Sequence, residues 1–270
     1  MTKLSPVLFI PHGGGPLPIL GDIGHTSLIH FLQQLPSQID KPSAIVIISA
    51  HWEENMVTIT SHEEPSLLYD YYGFPDEAYD IDYSLKGNAL LSDKIQRLLC
   101  DKGIESKLDS QRGFDHGVFV PLKIIMPDAQ IPCVQISLVN SLDAQAHIAI
   151  GEALRELRED NILFIGSGFS FHNLPAFFSN NRSTDSKNEQ FQEWLIDVCT
   201  NKTLTDQQRR NKLTNWQNTP FASYCHPREE HLIPLHVCAG LSNSNATLIF
   251  DDTVLERVLK VANSIKVVQA

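Results

Sequence analysis

Residues 44–52 read AIVIISAHW, an apolar stretch whose branched part, Ala44–Ile48, leads into a histidine and a tryptophan. A near-continuous run of valine and isoleucine is typical of a strand buried on both faces, as in the parallel sheets of α/β proteins. Further short runs of this kind occur along the chain: Val7–Ile10, Val57–Thr60, Val134–Leu138, Ile162–Ile165 and Ala246–Phe250. The sequence therefore predicts a sheet of short, buried strands.

Segments with the apolar spacing of amphipathic helices lie between the predicted strands. They are Thr26–Leu35, Asn88–Lys102, Ala144–Glu159, Asn188–Cys199 and Thr253–Ile265. Alternation of strands and helices is typical of βαβ units, whose strands run parallel. We therefore predict an α/β fold in which helices flank a central sheet that is mixed but mostly parallel.

Two polar stretches fit neither pattern. Phe178–Thr184 is rich in Asn and Ser and predicts an exposed loop, whereas Thr200–Asn218 is compatible with a solvated helix packed on one side. Neither stretch divides the chain convincingly, and no internal repeat is present. We therefore expect residues 1–270 to form a single domain.

The composition excludes several classes of partner and compartment. The 270 residues carry 32 Asp and Glu against 21 Lys and Arg, which disfavours nucleic acid and anionic membranes as partners. No apolar run is long enough for a membrane span, and residues 1–11 lack a signal-peptide pattern. The five cysteines are scattered, odd in number and without a Cys-x-x-Cys pair, which favours free thiols in the reducing cytoplasm.

Histidine accounts for 11 of the 270 residues, and its placement is informative. His12, His51 and His172 each follow a predicted strand, namely those that begin at residues 7, 44 and 162. Parallel strands bring their carboxyl ends to the sheet edge where α/β proteins bind ligands, so we expect these three side chains to converge. Because imidazole is a common metal ligand, the pattern predicts a metal site there.

Two further histidines, His116 and His231, lie in segments whose Gly or Pro residues suit tight turns that would hold a side chain in place. The other six are interpreted as structural or solvent-facing: His25, His30, His62, His147, His226 and His236.

Several competing motifs are incomplete. The sequence HGGG at residues 12–15 resembles the oxyanion-hole loop of esterases, but no Gly-x-Ser-x-Gly elbow accompanies it. No Gly-Lys-Ser/Thr, no Gly-x-Gly-x-x-Gly and no His-Glu-x-x-His occurs, so nucleotide-binding loops and a helical zinc-protease site are disfavoured.

Six segments together resemble the DODA-type (4,5-DOPA dioxygenase) branch of the class III extradiol ring-cleavage dioxygenases, the LigB superfamily. They appear in the order of that family and span residues 11 to about 240: PHGGGP at 11–16, SAHW at 49–52, YGFP at 72–75, GFDHG at 113–117, HNL at 172–174 and EHLIPL at 230–235. The resemblance implies a LigB-like fold and a catalytic domain that covers nearly the whole chain.

The resemblance also implies roles for particular residues. His12, His51 and His231 match the metal ligands of this branch, and His172 matches a histidine beside the metal that serves as an extra ligand or as the acid/base. His116 matches a histidine of the substrate pocket that lies outside the set of metal ligands, and we expect it to donate a hydrogen bond to the bound oxygen species or to a substrate hydroxyl.

Neighbouring residues leave further alternatives open. Many members of the superfamily complete the metal site with a glutamate, and the adjacent Glu229 and Glu230 keep the third ligand open. Asp115 is a candidate for orienting His116. Tyr72 and Phe74 are candidates for lining the substrate pocket, although both could simply pack within a loop.

The implied function is cleavage of a catechol ring by O₂ at a non-haem Fe(II) site, with a dihydroxyphenylalanine-like substrate among the candidates. Three protein ligands on one side of the ion would leave positions open for catechol and for O₂. Zn(II) could occupy the same imidazoles, because it binds more tightly than Fe(II) in the usual order. Two rival functions stay open: a zinc-dependent amide or ester hydrolase and a non-catalytic binding relative. A homodimer is compatible with the sequence.

Overall fold

The computed structural model describes residues 4–177, 186–253 and 260–267, and within β8 only the backbone is considered. Eight strands lie within these residues: β1 (Val7–Pro11), β2 (Ala44–Glu54), β3 (Val57–Thr60), β4 (Ser106–Asp109), β5 (Cys133–Val139), β6 (Ile162–Gly168), β7 (Thr247–Thr253) and β8 (Lys260–Val267). The predicted runs of branched residues all lie in or overlap these strands, because strands β1, β2, β5 and β6 are buried over most of their length.

The eight strands form one sheet in the order β4-β3-β5-β2-β6-β1-β8-β7. The four central strands, β5, β2, β6 and β1, are parallel to one another. Strand β3 pairs antiparallel with β5, and the antiparallel hairpin of β7 and β8 extends the other side of the sheet beyond β1. The predicted α/β fold with a mixed, mostly parallel sheet is confirmed.

Nine α-helices connect the strands within the described residues: α1 (Thr26–Gln34), α2 (Ala89–Asp101), α3 (His116–Ile125), α4 (Ala144–Ala153), α5 (Leu174–Phe177), α6 (Ser186–Thr200), α7 (Asp206–Thr214), α8 (Ala222–Cys225) and α9 (Ile233–Ser242). Neighbouring residues of β6 face opposite helices, since Gly166 lies against α9 and Ser167 bonds the backbone of α3. Helices therefore cover both faces of the sheet. None of the described helices has the length and hydropathy that a membrane span requires.

Four of the five predicted helices are confirmed, at α1, α2, α4 and α6. The helix predicted over Thr253–Ile265 is wrong, because Thr253 ends β7 and residues 260–265 belong to β8, whereas residues 254–259 lie outside the described part. Strand β8 pairs with the open edge of β1, and such long-range pairing overrides a local helical pattern. The loop predicted at Phe178–Thr184 also lies outside the described residues, and the stretch Thr200–Asn218 contains α7.

Helices α3 and α9 have no counterpart among the predicted elements, although both contribute to the site described below. Both are apolar on nearly every face and buried, so neither shows the alternation of an amphipathic helix. Each helix also contains a proline, Pro121 within α3 and Pro234 in the first turn of α9. Because proline is uncommon inside helices, these residues argued against a helix in either segment.

Candidate metal centre

Five histidines converge at the carboxyl ends of the parallel strands. His12 directly follows β1, His51 lies in β2 beyond a register shift that starts after Ile48, and His172 comes four residues after β6. His116 is the first residue of α3, and His231 lies just before α9. The structure thus brings together the five histidines that the sequence singled out, because parallel strands deliver their ends to one edge.

The imidazole rings are within contact distance of one another. The Nε2 atoms of His12 and His51 are 3.0 Å apart, and the ring centres of His51 and His116 are 3.9 Å apart. The ring of His231 lies 5.4 Å from that of His12 and 5.0 Å from that of His51, measured between centres. His172 stacks on His231 with a centre-to-centre distance of 3.4 Å.

Two sets of possible ligand atoms are close enough to share an ion. In His12, His51 and His116 these atoms all lie within 4.8 Å of one another, and the same holds for His172, Glu230 and His231. The expected ligands His12, His51 and His231 are thus divided between the two sets. His116 belongs to the first set and Glu230 to the second, so both are further possible ligands.

The hydrogen bonds of Ser167 determine which nitrogen of His12 faces the cluster. The Ser167 hydroxyl donates to the carbonyl oxygen of Gly117 at 2.5 Å, and its oxygen lies 3.0 Å from His12 Nδ1. Since a carbonyl can only accept, the hydroxyl proton is used there and His12 Nδ1 must donate to Ser167. The Nε2 atom of His12 therefore carries a free lone pair, directed at His51.

Two carboxylates likewise determine which nitrogen faces the cluster in His231, His172 and His116. Glu230 Oε1 accepts from His231 Nδ1 at 2.8 Å and lies 3.2 Å from His172 Nδ1. Asp70 Oδ1 accepts from both the backbone nitrogen and Nδ1 of His116, at 2.9 and 2.8 Å. A carboxylate on Nδ1 leaves Nε2 as the unprotonated nitrogen, which is the arrangement found around metal-bound histidines.

The pKa values of these groups are consistent with neutral rings beside ionised carboxylates. Burial, reinforced by the neighbouring histidines, lowers the pKa of His12 and of His51 well below the usual value, and burial lowers that of His231 to about 4. Burial acts to raise the pKa of Glu230, but hydrogen bonds from His172 and His231 hold it far below its ordinary range. The centre thus offers unprotonated nitrogens near neutral pH.

The donor set fits a transition-metal ion. Imidazole is a suitable ligand for iron, zinc, copper and nickel. The carboxylates that bond the Nδ1 atoms, Glu230 and Asp70, orient the rings. Two nitrogens bound at right angles to one ion at about 2.1 Å would lie about 3 Å apart. The observed 3.0 Å between the Nε2 atoms of His12 and His51 matches two neighbouring ligands of one metal.

A network of buried polar side chains surrounds Asp115, the residue before His116. Asp115 is fully buried and accepts hydrogen bonds from Ser49 and Gln135, with Arg112 Nη2 3.3 Å away. Asp115 makes no hydrogen bond to the ring of His116, so the expectation that it orients this ring is wrong. Asp70 holds that position instead, because Asp115 points into the sheet towards β2 and β5.

Sequence reasoning missed the roles of Asp70 and His25. Asp70 lies two residues before Tyr72, just outside the segment 72–75 that contributed to the resemblance, and nothing in its local pattern indicates a contact with His116. His25 is fully buried and bonds Asp22 through Nδ1 at 2.8 Å, so its Nε2 accepts from the backbone nitrogen of Gly14 at 2.9 Å. This histidine, predicted to be structural, positions the glycine loop beside His12.

A cavity of about 390 Å³ opens beside the histidines. Its lining is mostly apolar and aromatic and includes both residues expected there, Tyr72 and Phe74: His12, Gly13, Gly14, Gly15, Leu17, His51, Asp70, Tyr71, Tyr72, Phe74, His116, Phe169, His172, Leu174, Phe177 and His231. The ring of Phe74 lies against Gly15, whose φ of +59° also favours glycine, and a Cβ there would be 3.0 Å from the ring.

Gly168 at the end of β6 allows His231 to approach the sheet. A Cβ on Gly168 would lie 2.2 Å from the carbonyl oxygen of His231, and that same oxygen accepts a hydrogen bond from Phe169. Cys225 likewise accepts from the backbone nitrogen of His172. The segment before α9 is therefore bonded along the end of β6, which places His172 and His231 side by side.

We expect Ser167→Ala to weaken metal binding by about 10–100-fold, because His12 loses the partner that fixes its tautomer and its orientation. The measurement is an anaerobic Fe²⁺ titration against a competing chelator. Ser137→Ala is the matched control, since Ser137 is also buried but accepts a hydrogen bond from Thr58 within the sheet. Unchanged iron affinity in Ser167→Ala would contradict this role of Ser167.

Comparison with known proteins identifies relatives over most of the chain. Residues 8–261 match the family described as the catalytic LigB subunit of aromatic ring-opening dioxygenase. The chain is 40% identical to the dioxygenase tasH of Hapsidospora irregularis, across 89% of this chain and 79% of that one. It is 34% identical to the 4,5-DOPA dioxygenase extradiol of Beta vulgaris, across 92% and 91% of the two chains.

A solved structure shows the same architecture. The crystal structure of an uncharacterized protein from Escherichia coli K12 superposes with a TM-score of 0.79 at 27% identity. The superposition covers 97% of this chain and 99% of the other.

Proposed function

Since the chain belongs to the LigB family, in its DODA-type branch of extradiol ring-cleaving dioxygenases, we propose that it opens a catechol ring at Fe(II) held by His12, His51 and His231. The observation that carries the choice of this centre is the pair of Nε2 atoms, 3.0 Å apart, beside a cavity that admits an aromatic ring. Bound iron would supply the redox chemistry that lets a closed-shell catechol react with triplet O₂.

The protein residues would bind the ion and move protons. His231 is the third ligand in this proposal because Glu230, the neighbouring carboxylate, already accepts from His231 and faces His172. Zn(II) would suit the same nitrogens, so the isolated protein could carry zinc although iron is the working metal.

His172 is proposed to be the acid/base. Its side chain is 21% exposed and lines the cavity, whereas His116 and His231 are 7% and 5% exposed. His51 is exposed to the same degree as His172, but its Nε2 faces that of His12 and is assigned to the metal. The Nδ1 of His172 faces Glu230, so Nε2 is the nitrogen available to take a proton from a catechol hydroxyl and to return it to the leaving oxygen. The ionised Glu230 would stabilise the imidazolium formed in between.

His116 is proposed to hydrogen-bond the substrate or the oxygen species. Because Nδ1 donates to Asp70, the Nε2 of a neutral His116 accepts a hydrogen bond, and it donates one only after it has taken up a proton. Tyr72 and Phe74 would hold the aromatic ring from the glycine-loop side of the cavity.

We expect Asp70→Asn to lower kcat by about 10–100-fold while iron content stays close to that of the wild type. The asparagine oxygen can still accept from the backbone N–H and from Nδ1 of His116, but a neutral amide no longer stabilises the protonated ring, which is the form whose Nε2 donates a hydrogen bond. The measurement is kcat from oxygen uptake together with metal content. Asp143→Asn is the matched control, since the Asp143 carboxylate also accepts from the first turn of a helix, whereas His147 Nδ1 bonds the backbone oxygen of Asp143, which the substitution keeps. Wild-type turnover of Asp70→Asn would contradict the role of Asp70.

The substrate of this proposal is a small catechol, with O₂ as the second reactant. Relatives named as 4,5-DOPA dioxygenases support a dihydroxyphenylalanine-like compound as one candidate.

The five free cysteines, four of them buried, suit a reducing compartment such as the cytoplasm. Three expectations from the sequence stay predictions: that nucleic acid and membranes are not partners, that the protein could form a homodimer, and that residues 1–270 form a single domain.

The experiment that tests the function is anaerobic reconstitution with Fe²⁺, followed by a panel of catechols and then O₂. Oxygen uptake together with a yellow ring-opened product is the expected result. Zinc-loaded protein is assayed in parallel on esters and amides. No uptake with iron, combined with hydrolysis by the zinc form, would replace the dioxygenase by the rival hydrolase.

A further inference from the structure

The cavity beside the histidines is larger than a catechol ring needs. A cavity of about 150 Å³ is enough to hold benzene, whereas this one has about 390 Å³. Its volume falls in the range of about 300–1,000 Å³ that encloses drug-sized ligands. Space for a substituent of several heavy atoms therefore remains once the ring lies beside the histidines.

We propose that the preferred substrate is a catechol whose ring carries a sizeable, uncharged, apolar substituent, an inference that rests on the proposed ring-cleavage function. The walls beyond the histidines are apolar: Leu17, Phe74, Phe169, Leu174 and Phe177. Burying an alkyl or aryl group against such walls is favourable in proportion to its area.

The apolar wall continues from the histidines to the surface. Phe169 packs edge-on to the ring of His12, with centres 4.8 Å apart, and thus lies at the inner end. Two side chains that line the cavity are also exposed to solvent: Leu174, two residues after His172, is 51% exposed, and Tyr72 is 92% exposed. Large exposed apolar side chains at the mouth of a pocket are typical of contact with an apolar ligand.

The charges around the cavity disfavour an anionic substituent. The carboxylate on the lining belongs to Asp70. A second one, Glu230, lies behind His172 and pairs with Arg228 at 3.3 Å, so Asp70 contributes the main negative charge at the cavity. Among the lining residues that the structure describes, none is a lysine or an arginine. A substituent carboxylate would lose hydration without gaining an opposite charge from the described lining residues, which is unfavourable in a partly enclosed site. A catechol with an apolar substituent therefore ranks above the dihydroxyphenylalanine-like candidate, whose side chain carries a carboxylate.

The test compares three catechols that differ only in the end of a substituent of equal size. The substituents at ring position 4 are 3-methylbutyl, propanamide and propanoate. With the iron-loaded full chain, we expect kcat/KM for the 3-methylbutyl compound to exceed that for the propanoate by about tenfold or more, with the amide between them. Anaerobic dissociation constants, measured without turnover, should follow the same order.

A variant at the mouth of the cavity tests the same idea from the protein side. Leu174→Lys should narrow the preference for 3-methylbutyl over propanoate by about tenfold, because a cation then faces the substituent. Leu90→Lys is the matched control: Leu90 is 82% exposed on α2 and does not line the cavity. An unchanged preference in Leu174→Lys would contradict contact between Leu174 and the substituent.

The outcomes separate this inference from the proposed function. If neither unsubstituted catechol nor any of the three compounds causes oxygen uptake, the ring-cleavage function itself is overturned. If all are cleaved and the propanoate is as good a substrate as the 3-methylbutyl compound, or a better one, only the substrate inference is overturned. Cleavage in the expected order supports both.

Discussion

Replacing His12 by alanine is expected to abolish iron binding and ring cleavage together. His12 contributes the Nε2 atom that faces His51 at 3.0 Å, and its Nδ1 is already committed to Ser167. His12 is 1% exposed and packs against Phe169 and the other rings, so alanine there removes one of the donors from the middle of the cluster. We expect the dissociation constant for Fe²⁺ to rise by more than about a hundredfold.

Two measurements check this expectation. Iron content after anaerobic reconstitution reports binding directly, and the shift in melting temperature caused by Fe²⁺ reports it independently of turnover, because a ligand of the native state stabilises it. His51→Ala should behave in the same way. His30→Ala is the matched control, since His30 lies on α1 and bonds the exposed Gln34. Full metal content in His12→Ala or His51→Ala would show that the proposed ligand set is wrong.

His172→Ala has the second large expected effect, a fall in kcat of about 10²–10⁴-fold with much of the iron retained. The reason is that its ring lines the cavity and is held through Nδ1 by Glu230, which leaves Nε2 for proton transfer. The decisive comparison is between kcat and iron affinity measured on the same samples.

The alternative role of His172 as a metal ligand gives a different result. If His172 binds the ion, iron affinity falls in parallel with turnover; if it is the acid/base, turnover falls while affinity changes little. Turnover near the wild-type value would exclude the acid/base role. His62→Ala is a suitable control, because His62 is exposed and its ring accepts from the backbone nitrogen of Glu64.

The local sequence was enough to predict the central strands and the side chains that follow them. Runs such as Ala44–Ile48 are apolar on both faces because the central strands are covered on both sides, and this pattern requires no knowledge of distant residues. The convergence of His12, His51 and His172 follows from parallel topology, so it too could be predicted.

Other features depended on contacts between distant segments and could not be predicted. Strand β8 forms by pairing with β1, although its segment was predicted as a helix. Asp70 and His116 are 46 residues apart, and their hydrogen bond exists because the loop after Leu68 is bonded to Phe114. Nothing in either segment alone distinguishes Asp70 from Asp115 as the partner.

The sequence by itself determined the α/β class, the family and the five histidines that meet, because burial patterns and short motifs are local properties. Only the tertiary structure decided which nitrogen of each ring faces the cluster, which carboxylate holds it and how the cavity beside it is lined. These features depend on distances of about 3 Å between atoms from segments far apart in the chain, over which a hydrogen bond either forms or does not.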